Sequence, residues 1–171
     1  MAVTISGDTG ISAVQAGAVE SGDLPAGSVI QVVQESFSSF INTTSESFID
    51  SGLNASITPS NSSNKILVFL SAVIGSGRQA APAESDLRIL RNSTVVYDGP
   101  DKAPFINAAV GAAGFVHIQV LSSATVLDNP ATNSSVNYKL QIRCNDNTNS
   151  GFTRLNNNNG TSTITLMEIA G

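Results

Sequence analysis

The sequence VNYKLQIRC at residues 136–144 alternates strictly between apolar and polar side chains. The apolar members, which share one face of an extended chain, are Val136, Tyr138, Leu140 and Ile142. Because successive side chains of a β-strand point to opposite faces, this period of two predicts a strand with one face in the core and one in solvent. The sequence FVHIQVL at residues 115–121 has the same period and predicts a second such strand.

Similar short runs recur along most of the chain, separated by clusters of Ser, Asn, Gly and Pro. They are VIQVVQ from residue 29, SFIDSG from 47, KILVFLSAVIG from 65, LRIL and TVVY between 87 and 97, and STITLMEIA from 162. Seven or eight strands at this spacing predict an all-β fold, a sandwich or a barrel, and not an α/β fold.

Three stretches between these runs are predicted to be long loops. Two of them, GSGRQAAPAES from residue 75 and NAAVGAAG from residue 107, are interrupted by Gly or Pro within a helical turn or two. The third is the Asn-rich sequence at residues 144–160, which could hold a short hairpin around residues 152–155. Loops of this length often carry contacts or function.

The run ILVFL at residues 66–70 is apolar on both faces of its predicted strand. One face of a sandwich strand lies on the core, so apolar residues on the other face indicate that it is covered too. A contact between subunits would supply such a cover. The candidates for the core or a subunit interface are therefore Ile66, Val68, Phe69, Leu70, Phe115 and His117.

Residues 1–26 differ from the rest of the chain. They are mostly small, include no aromatic residue and could not form a core of their own. They predict an extended arm that is ordered only by lying on another surface, and LPAG at residues 24–27 predicts the turn that ends it. The candidate anchors of the arm are Val3, Ile5, Ile11, Val14 and Val19. The β-sandwich domain is accordingly expected at residues 27–171.

Composition and charge exclude several classes of partner. With 8 Lys and Arg against 13 Asp and Glu, the net charge is −5, which does not favour nucleic-acid binding. The longest apolar run, residues 66–74, is far shorter than the ~20 residues of a membrane helix. The first ten residues lack the basic and apolar regions of a secretory signal, so we expect a protein made in a cytoplasm and not exported by the general secretory route.

Residue types that serve catalysis are scarce. Ser, Asn and Thr make up 53 of the 171 residues, whereas there is one His, one Cys and no Trp. His117 lies within an alternating strand, which favours a surface or subunit-contact role over that of a general base. Cys144 ends a predicted strand, which favours a small half-buried apolar side chain over a reactive thiol and excludes an internal disulfide.

Acidic and amide residues in the predicted turns offer two further kinds of site. A glycosidase acid pair would come from Asp98, Asp101, Asp128 and Asp146, but aspartate is common in turns, and aromatic residues that could stack on sugars are few. A calcium loop would use Asn145, Asp146, Asn147 and Asn149, which lack clustered carboxylates. We therefore expect no enzymatic activity, no metal site and no cofactor.

Three stretches occur in an order that composition alone does not explain. They are DLPAGSVIQVVQ at residues 23–34, SFIDSGLNASITPSNSSNKILVFLSAVIG at residues 47–75, and DNPATNSSVNYKLQIRC at residues 128–144 followed by STITLMEIA. Together they resemble a domain of structural proteins of tailed bacteriophages, especially marine and cyanobacterial ones, found in tail fibres and virion-surface proteins. The resemblance covers essentially all of residues 27–170. It implies a jelly-roll-like sandwich that trimerises, similar in architecture to tumour-necrosis-factor and complement-collagen-head trimers, with no catalytic residues.

The sequence thus leads to a ranked set of expectations about function. The first is a homotrimeric capsid decoration, or cement, protein that binds the phage capsid through its arm and lies on the virion surface. The alternative is the tip of a tail or head fibre that contacts tail proteins and binds a bacterial surface receptor such as a glycan. A small carbohydrate-active enzyme has the least support.

Overall fold

The computed structural model describes residues 23–79, 83–100, 105–106, 114 and 116–171. The predicted loop at residues 107–114 falls almost entirely outside these ranges. So do the arm anchors Val3, Ile5, Ile11, Val14 and Val19, the interface candidate Phe115 and the turn residue Asp101.

The described residues form eleven strands and two short 3-10 turns, Thr148–Ser150 and Asn157–Asn159. The strands are β1 (Val29–Phe37), β2 (Ile41–Thr43), β3 (Ile49–Ile57), β4 (Lys65–Arg78), β5 (Ala83–Arg91), β6 (Thr94–Asp98), β7 (Phe105–Ile106), β8 (Val116–Asp128), β9 (Val136–Cys144), β10 (Phe152–Leu155) and β11 (Ser162–Ile169).

These strands pair antiparallel in two sheets, which confirms the predicted all-β sandwich. One is six-stranded, in the order β1-β11-β4-β10-β2, with β8 along the opposite side of β4. The other is five-stranded, in the order β3-β9-β5-β6, with β7 beside β5. The chain changes sheet between β2 and β3, between β3 and β4, between β4 and β5, and at each step from β7 to β10, which is jelly-roll-like connectivity.

The core lies between the inner faces of the two sheets. Strand β4 contributes every second residue from Ile66 to Ile74, and these side chains are almost fully buried. Strand β9 contributes Tyr138, Leu140 and Ile142, so the predicted period-two strand is confirmed. Burial and the neighbouring Asp128 carboxylate raise the pKa of the Tyr138 phenol, whose hydroxyl donates to that carboxylate at 2.6 Å.

The prediction of a long loop from residue 75 is wrong. Strand β4 continues through Gly75 and Gly77 to Arg78, and β5 begins at Ala83. The two glycines resemble loop residues in the sequence, but they leave room for the side chains of His117 and Phe152 to cross β4. A glycine within a strand often marks such a close approach of another element.

The Asn-rich stretch also contains more structure than a loop. Residues 152–155 form β10, which joins β4 to β2 instead of folding back as a hairpin, so that part of the prediction is wrong. The turns on either side hold several asparagines at positive φ, including Asn149 at 50° and Asn156 at 55°. Asparagine tolerates this left-handed conformation better than other residues with a Cβ, which explains its abundance here.

Candidate interaction surface

The face of the six-stranded sheet that points away from the core is uncharged over three successive rows of side chains. Each row crosses β1, β11, β4 and β8. The rows are Val32, Met167, Leu67 and Leu127; Gln34, Thr165, Phe69 and Thr125; and Ser36, Thr163, Ser71 and Ser123. We call these twelve residues the outer face.

Several apolar side chains of this region are open to solvent in the single chain. Val32 is 54% exposed, Phe69 39% and Leu127 53%, and Leu121, one row beyond the outer face on β8, is 68% exposed. Isolated exposed apolar residues are normal, but the first row is apolar across four neighbouring strands. A contiguous apolar surface of this kind is typical of a binding surface.

The five-stranded sheet presents a different surface to solvent. Arg143 bonds the Asp86 carboxylate at 2.6 Å, and Lys139 bonds Asp50 at 2.8 Å. The Arg88 guanidinium lies 4.0 Å from the centre of the Phe48 ring. The Lys139 and Gln141 hydrogen bonds hold the pKa of Asp50 below its usual value. This charged and internally bonded face is suited to contact with water.

The structure divides the residues predicted to lie in the core or interface into two groups. Ile66, Val68 and Leu70 point into the core and are at most 3% exposed. Phe69 points outward in the middle of the outer face, and His117 is exposed on the same side of the sheet near the start of β8. The described residues of one chain therefore leave the second apolar face of β4 uncovered.

Sequence reasoning missed four members of the first row: Val32, Met167, Leu67 and Leu127. Each lies in a run that the sequence identified as a strand or that directly continues one, so its outward direction follows from period two. Their alignment in a row depends on the register between strands far apart in sequence. The usable signal was the continuation of the alternation in β8 past residue 121, to Leu127.

Among the described residues, the potential catalytic side chains are not arranged as a nucleophile and base. Partial desolvation of its ring and the Arg154 charge lower the pKa of His117, and no described carboxylate or nucleophile bonds its imidazole. Cys144 is buried, more fully than the half-buried position expected from the sequence. Burial raises the pKa of its thiol, and Sγ donates to the Asp146 carbonyl at 3.2 Å.

Two of the candidate turn aspartates, Asp128 and Asp146, are bonded to neighbouring side chains. Asp128 accepts bonds from Arg91 and Tyr138. Asp146 accepts bonds from the backbone and hydroxyl of Thr148, which lower its pKa, and pairs with Arg78 at 2.8 Å. Within the described ranges, no three His, Cys, Asp or Glu side chains are grouped as metal ligands.

Two further findings concern membrane-spanning helices and similarity to known proteins. None of the helices in the described residues is long and apolar enough to span a membrane. Comparison with known proteins found no match, either to a family model or to a curated protein.

Proposed function

We propose that this chain is a non-enzymatic structural protein of a tailed-phage virion, a homotrimeric capsid decoration protein. The observation that carries the proposal is the outer face, an uncharged surface with an apolar row, left open on one side of a well-packed sandwich. The virion assignment is supported by the resemblance of residues 23–34, 47–75 and 128–144 to phage structural proteins. Such a protein is assembled in the host cytoplasm and resides on the virion surface.

Self-association through the outer face would bury the apolar surface that one chain exposes. Each 100 Å² of apolar surface removed from water contributes about 2.5 kcal/mol before the costs of association. In a three-fold ring, each contact joins two different surfaces of neighbouring subunits, so the outer face of one copy would meet another part of the next. The charged, internally bonded face of the five-stranded sheet would remain on the outside.

The arrangement of potentially reactive groups favours a structural role. Cys144 is buried, and Asp128 and Asp146 each hold an arginine. These partners fix turns and strand ends, which is what aspartates in structural turns do.

The oligomeric part of the proposal is tested by light scattering on the purified full chain at micromolar concentration. We expect a mass of about 53 kDa, three times the 17.6 kDa of one chain. A monomer would contradict self-association. A dimer would point to two outer faces packed against each other and would contradict the trimer.

The virion part is tested by labelling particles with an antibody against the chain. A decoration protein should cover the capsid in many copies, whereas a fibre tip should label a few points at the tail or head. Labelling of fibres alone would replace the decoration role by the fibre alternative.

Deleting residues 2–24 is expected to leave a folded, soluble trimer that no longer attaches to particles. The deletion leaves intact the backbone hydrogen bonds that join the start of the sandwich to its C-terminal end. The Gly27 N–H donates to the Ala170 carbonyl at 2.9 Å, and the Ala170 N–H donates to the Ser28 carbonyl at 2.9 Å. Residues 1–26 would reach roughly 85 Å if fully extended at ~3.3 Å each, enough to contact a neighbouring surface. Three arms on one trimer would reinforce each other through effective concentration.

The measurement is co-sedimentation of purified protein with particles that lack the native one, with the full chain as the control. If the truncated trimer sediments at the full-length ratio, attachment lies in the sandwich. If the truncation yields monomers, the arm serves oligomerisation, and the proposed anchoring role is wrong.

A further inference from the structure

A second surface feature lies on the same side of the six-stranded sheet, beyond the outer face. Planar side chains from three segments follow one another across the sheet: the His117 and Phe152 ring centres are 5.7 Å apart, and the Arg154 guanidinium lies 4.0 Å from the Phe152 ring centre and 5.7 Å from that of Phe40. We call His117, Phe152, Arg154 and Phe40 the Arg154 stack.

The stack can form because the two β4 residues that lie under it, Gly75 and Gly77, are glycines and have no side chains. Gly75 pairs with Arg154 of β10, and Gly77 pairs with Phe152 on one side and His117 on the other. A Cβ on Gly77 would collide with the Phe152 ring, and a Cβ on Gly75 would lie 3.1 Å from Nε2 of His117. Planar groups from β8 and β10 can therefore lie flat over the strand.

Arg154 is an oriented cation that has no acidic partner among the described residues. Four other described cations, Arg78, Arg91, Lys139 and Arg143, are in ion pairs. The Nε of Arg154 donates to Oδ1 of Asn42 at 3.0 Å, and no described acceptor bonds its two terminal amino groups. Stacking on Phe152 holds the guanidinium in place, so a ligand would pay little entropy to use its remaining donors.

Groups that suit a small polar ring lie on either side of this cation in the stack. Phe40 is 52% exposed and offers an apolar surface beside the guanidinium. His117 is exposed, and its lowered pKa leaves the imidazole neutral at pH 7, with one donor and one acceptor.

We propose that the Arg154 stack binds a saccharide that carries one anionic group, such as a uronic acid or a sugar phosphate. The guanidinium fork matches a carboxylate or phosphate, which it can bond in bidentate fashion. Phe40 contacts the apolar C–H face of the sugar ring, and His117 bonds its hydroxyl groups.

The stack contains one cation, Arg154, which favours this ligand over a nucleic acid. Nucleic acids are held by many phosphate contacts, and the chain has a net charge of −5. The site is also separate from the outer face, because Gly75 and Gly77 lie four and six residues beyond Ser71, the last outer-face residue of β4, or about 13 to 20 Å along the strand. The proposal therefore does not rest on the proposed trimer.

The test is an NMR titration of the full chain at low ionic strength with four probes: glucuronate, glucose 6-phosphate, glucose and adenosine monophosphate. We expect saturable shifts at Arg154 Nε–H and at the His117 ring with the two anionic sugars, with dissociation constants of about 1 to 10 mM. Neutral glucose should bind at least about tenfold more weakly, since it lacks the charged group that the guanidinium recognises.

Substitutions distinguish binding at the Arg154 stack from a general effect of removing a positive charge. Arg154→Gln should weaken binding of both anionic sugars at least about tenfold, and Arg154→Lys should restore only part of it, since it keeps the charge without the fork. Phe40→Ser should weaken binding while leaving the melting temperature unchanged, because the ring is largely exposed. The matched control is Arg88→Gln, which removes an arginine stacked at the same 4.0 Å on another phenylalanine, Phe48, of the opposite sheet.

Four outcomes would overturn the proposal. They are the absence of saturable shifts at the stack, an equal loss of binding in the Arg88 and Arg154 variants, unchanged binding by Phe40→Ser, and tighter binding of adenosine monophosphate than of both sugars. The last would identify the stack as a nucleotide platform.

Discussion

Leu70→Asp is expected to yield no folded protein, whereas Phe69→Asp, one residue earlier, should fold normally and fail to self-associate. Leu70 is 3% exposed and points into the core, where its neighbours across the strands are Ile164 and Ala124. Truncation of a buried leucine alone costs about 2 to 5 kcal/mol, and an unpaired buried carboxylate costs several more. That sum exceeds the stability of many domains of this size, about 5 to 15 kcal/mol.

Phe69 lies on the opposite face of the same strand. It is 39% exposed, and its neighbours in the row are Thr165 and Thr125, so a carboxylate there remains in contact with water in the single chain. We expect a loss of about 1 kcal/mol or less in the free energy of unfolding. In an oligomer joined through the outer face, the same carboxylate would be buried without a partner, and association would be lost.

The two variants are compared by circular dichroism, thermal unfolding and light scattering, with Phe69→Leu as the control that keeps an apolar side chain. A soluble, cooperatively folding Leu70→Asp protein would show that the core has been misassigned. A Phe69→Asp protein with the mass of the wild type would show that the outer face is not the self-association surface.

The parts of the fold that could be predicted are those in which local pattern and burial agree. Strand β9 alternates without interruption because one face meets the core and the other meets water along its full length. In β11 burial also alternates at every residue, but the sequence follows it only as far as Leu166, because Met167 then points outward and Glu168 is buried. Period two is a property of one strand, so no knowledge of the partner strand is needed.

The parts that were missed depend on contacts between segments that are distant in sequence. Gly75 and Gly77 indicated a loop, but they are strand residues because Phe152 and His117 need the space above them. Strand β2 has only three residues, too few to show a period, and is held by pairing with β10. Local propensity cannot predict a strand whose pairing partner lies over a hundred residues away.

For the candidate surface, the sequence predicts which side chains of a strand point away from the core. It does not predict which residues of the other strands lie beside them. The run at residues 66–70, which is apolar on both faces, correctly identified β4 as the strand with an uncovered apolar face. Alternation places Phe69 and Leu70 on opposite faces once one of them is known to be in the core. The row from Val32 to Leu127 requires the pairing of four strands, which no single run encodes. The Arg154 stack likewise brings together residues 40, 117, 152 and 154 through sheet pairing.

Substitution of Glu168 is expected to reduce the stability of the fold strongly. Glu168 lies on β11, points inward and is 0% exposed. Four hydrogen bonds from neutral groups satisfy its carboxylate. Oε1 accepts bonds from the Ser60 backbone at 2.7 Å, the Ser60 hydroxyl at 2.8 Å and the Asn64 amide at 2.6 Å, and Oε2 accepts one from the Gln31 amide at 2.5 Å.

Burial by itself raises the pKa of Glu168, but the hydrogen bonds from Asn64, Gln31 and Ser60 outweigh it and hold the pKa below the ordinary 4.5. The folded protein therefore binds this proton less readily than the unfolded chain. The stabilisation from the ionised carboxylate is complete above about pH 4.5 and is lost as the pH falls through the folded-state pKa.

Glu168→Gln is expected to lower the free energy of unfolding at pH 7 by about 2 to 4 kcal/mol. The variant keeps the shape of the side chain but replaces one acceptor oxygen by a donor. That donor then faces either Gln31 or the Ser60 and Asn64 donors. Gln31 cannot reverse its amide without losing its bond to the Thr58 carbonyl at 2.8 Å.

Denaturant unfolding between pH 7 and pH 3 tests both parts of this expectation. The wild type should lose stability below about pH 4.5, and the variant should lose less over the same interval, because it lacks the titrating group. The control is Asp50→Asn, which removes a carboxylate whose pKa is also lowered but which is exposed, and which should change stability at pH 7 by about 1 kcal/mol or less. If Glu168→Gln is as stable as the wild type at pH 7, or if its stability falls just as steeply with acid, the carboxylate is not the group that ties β11 to the turn at residues 60–64.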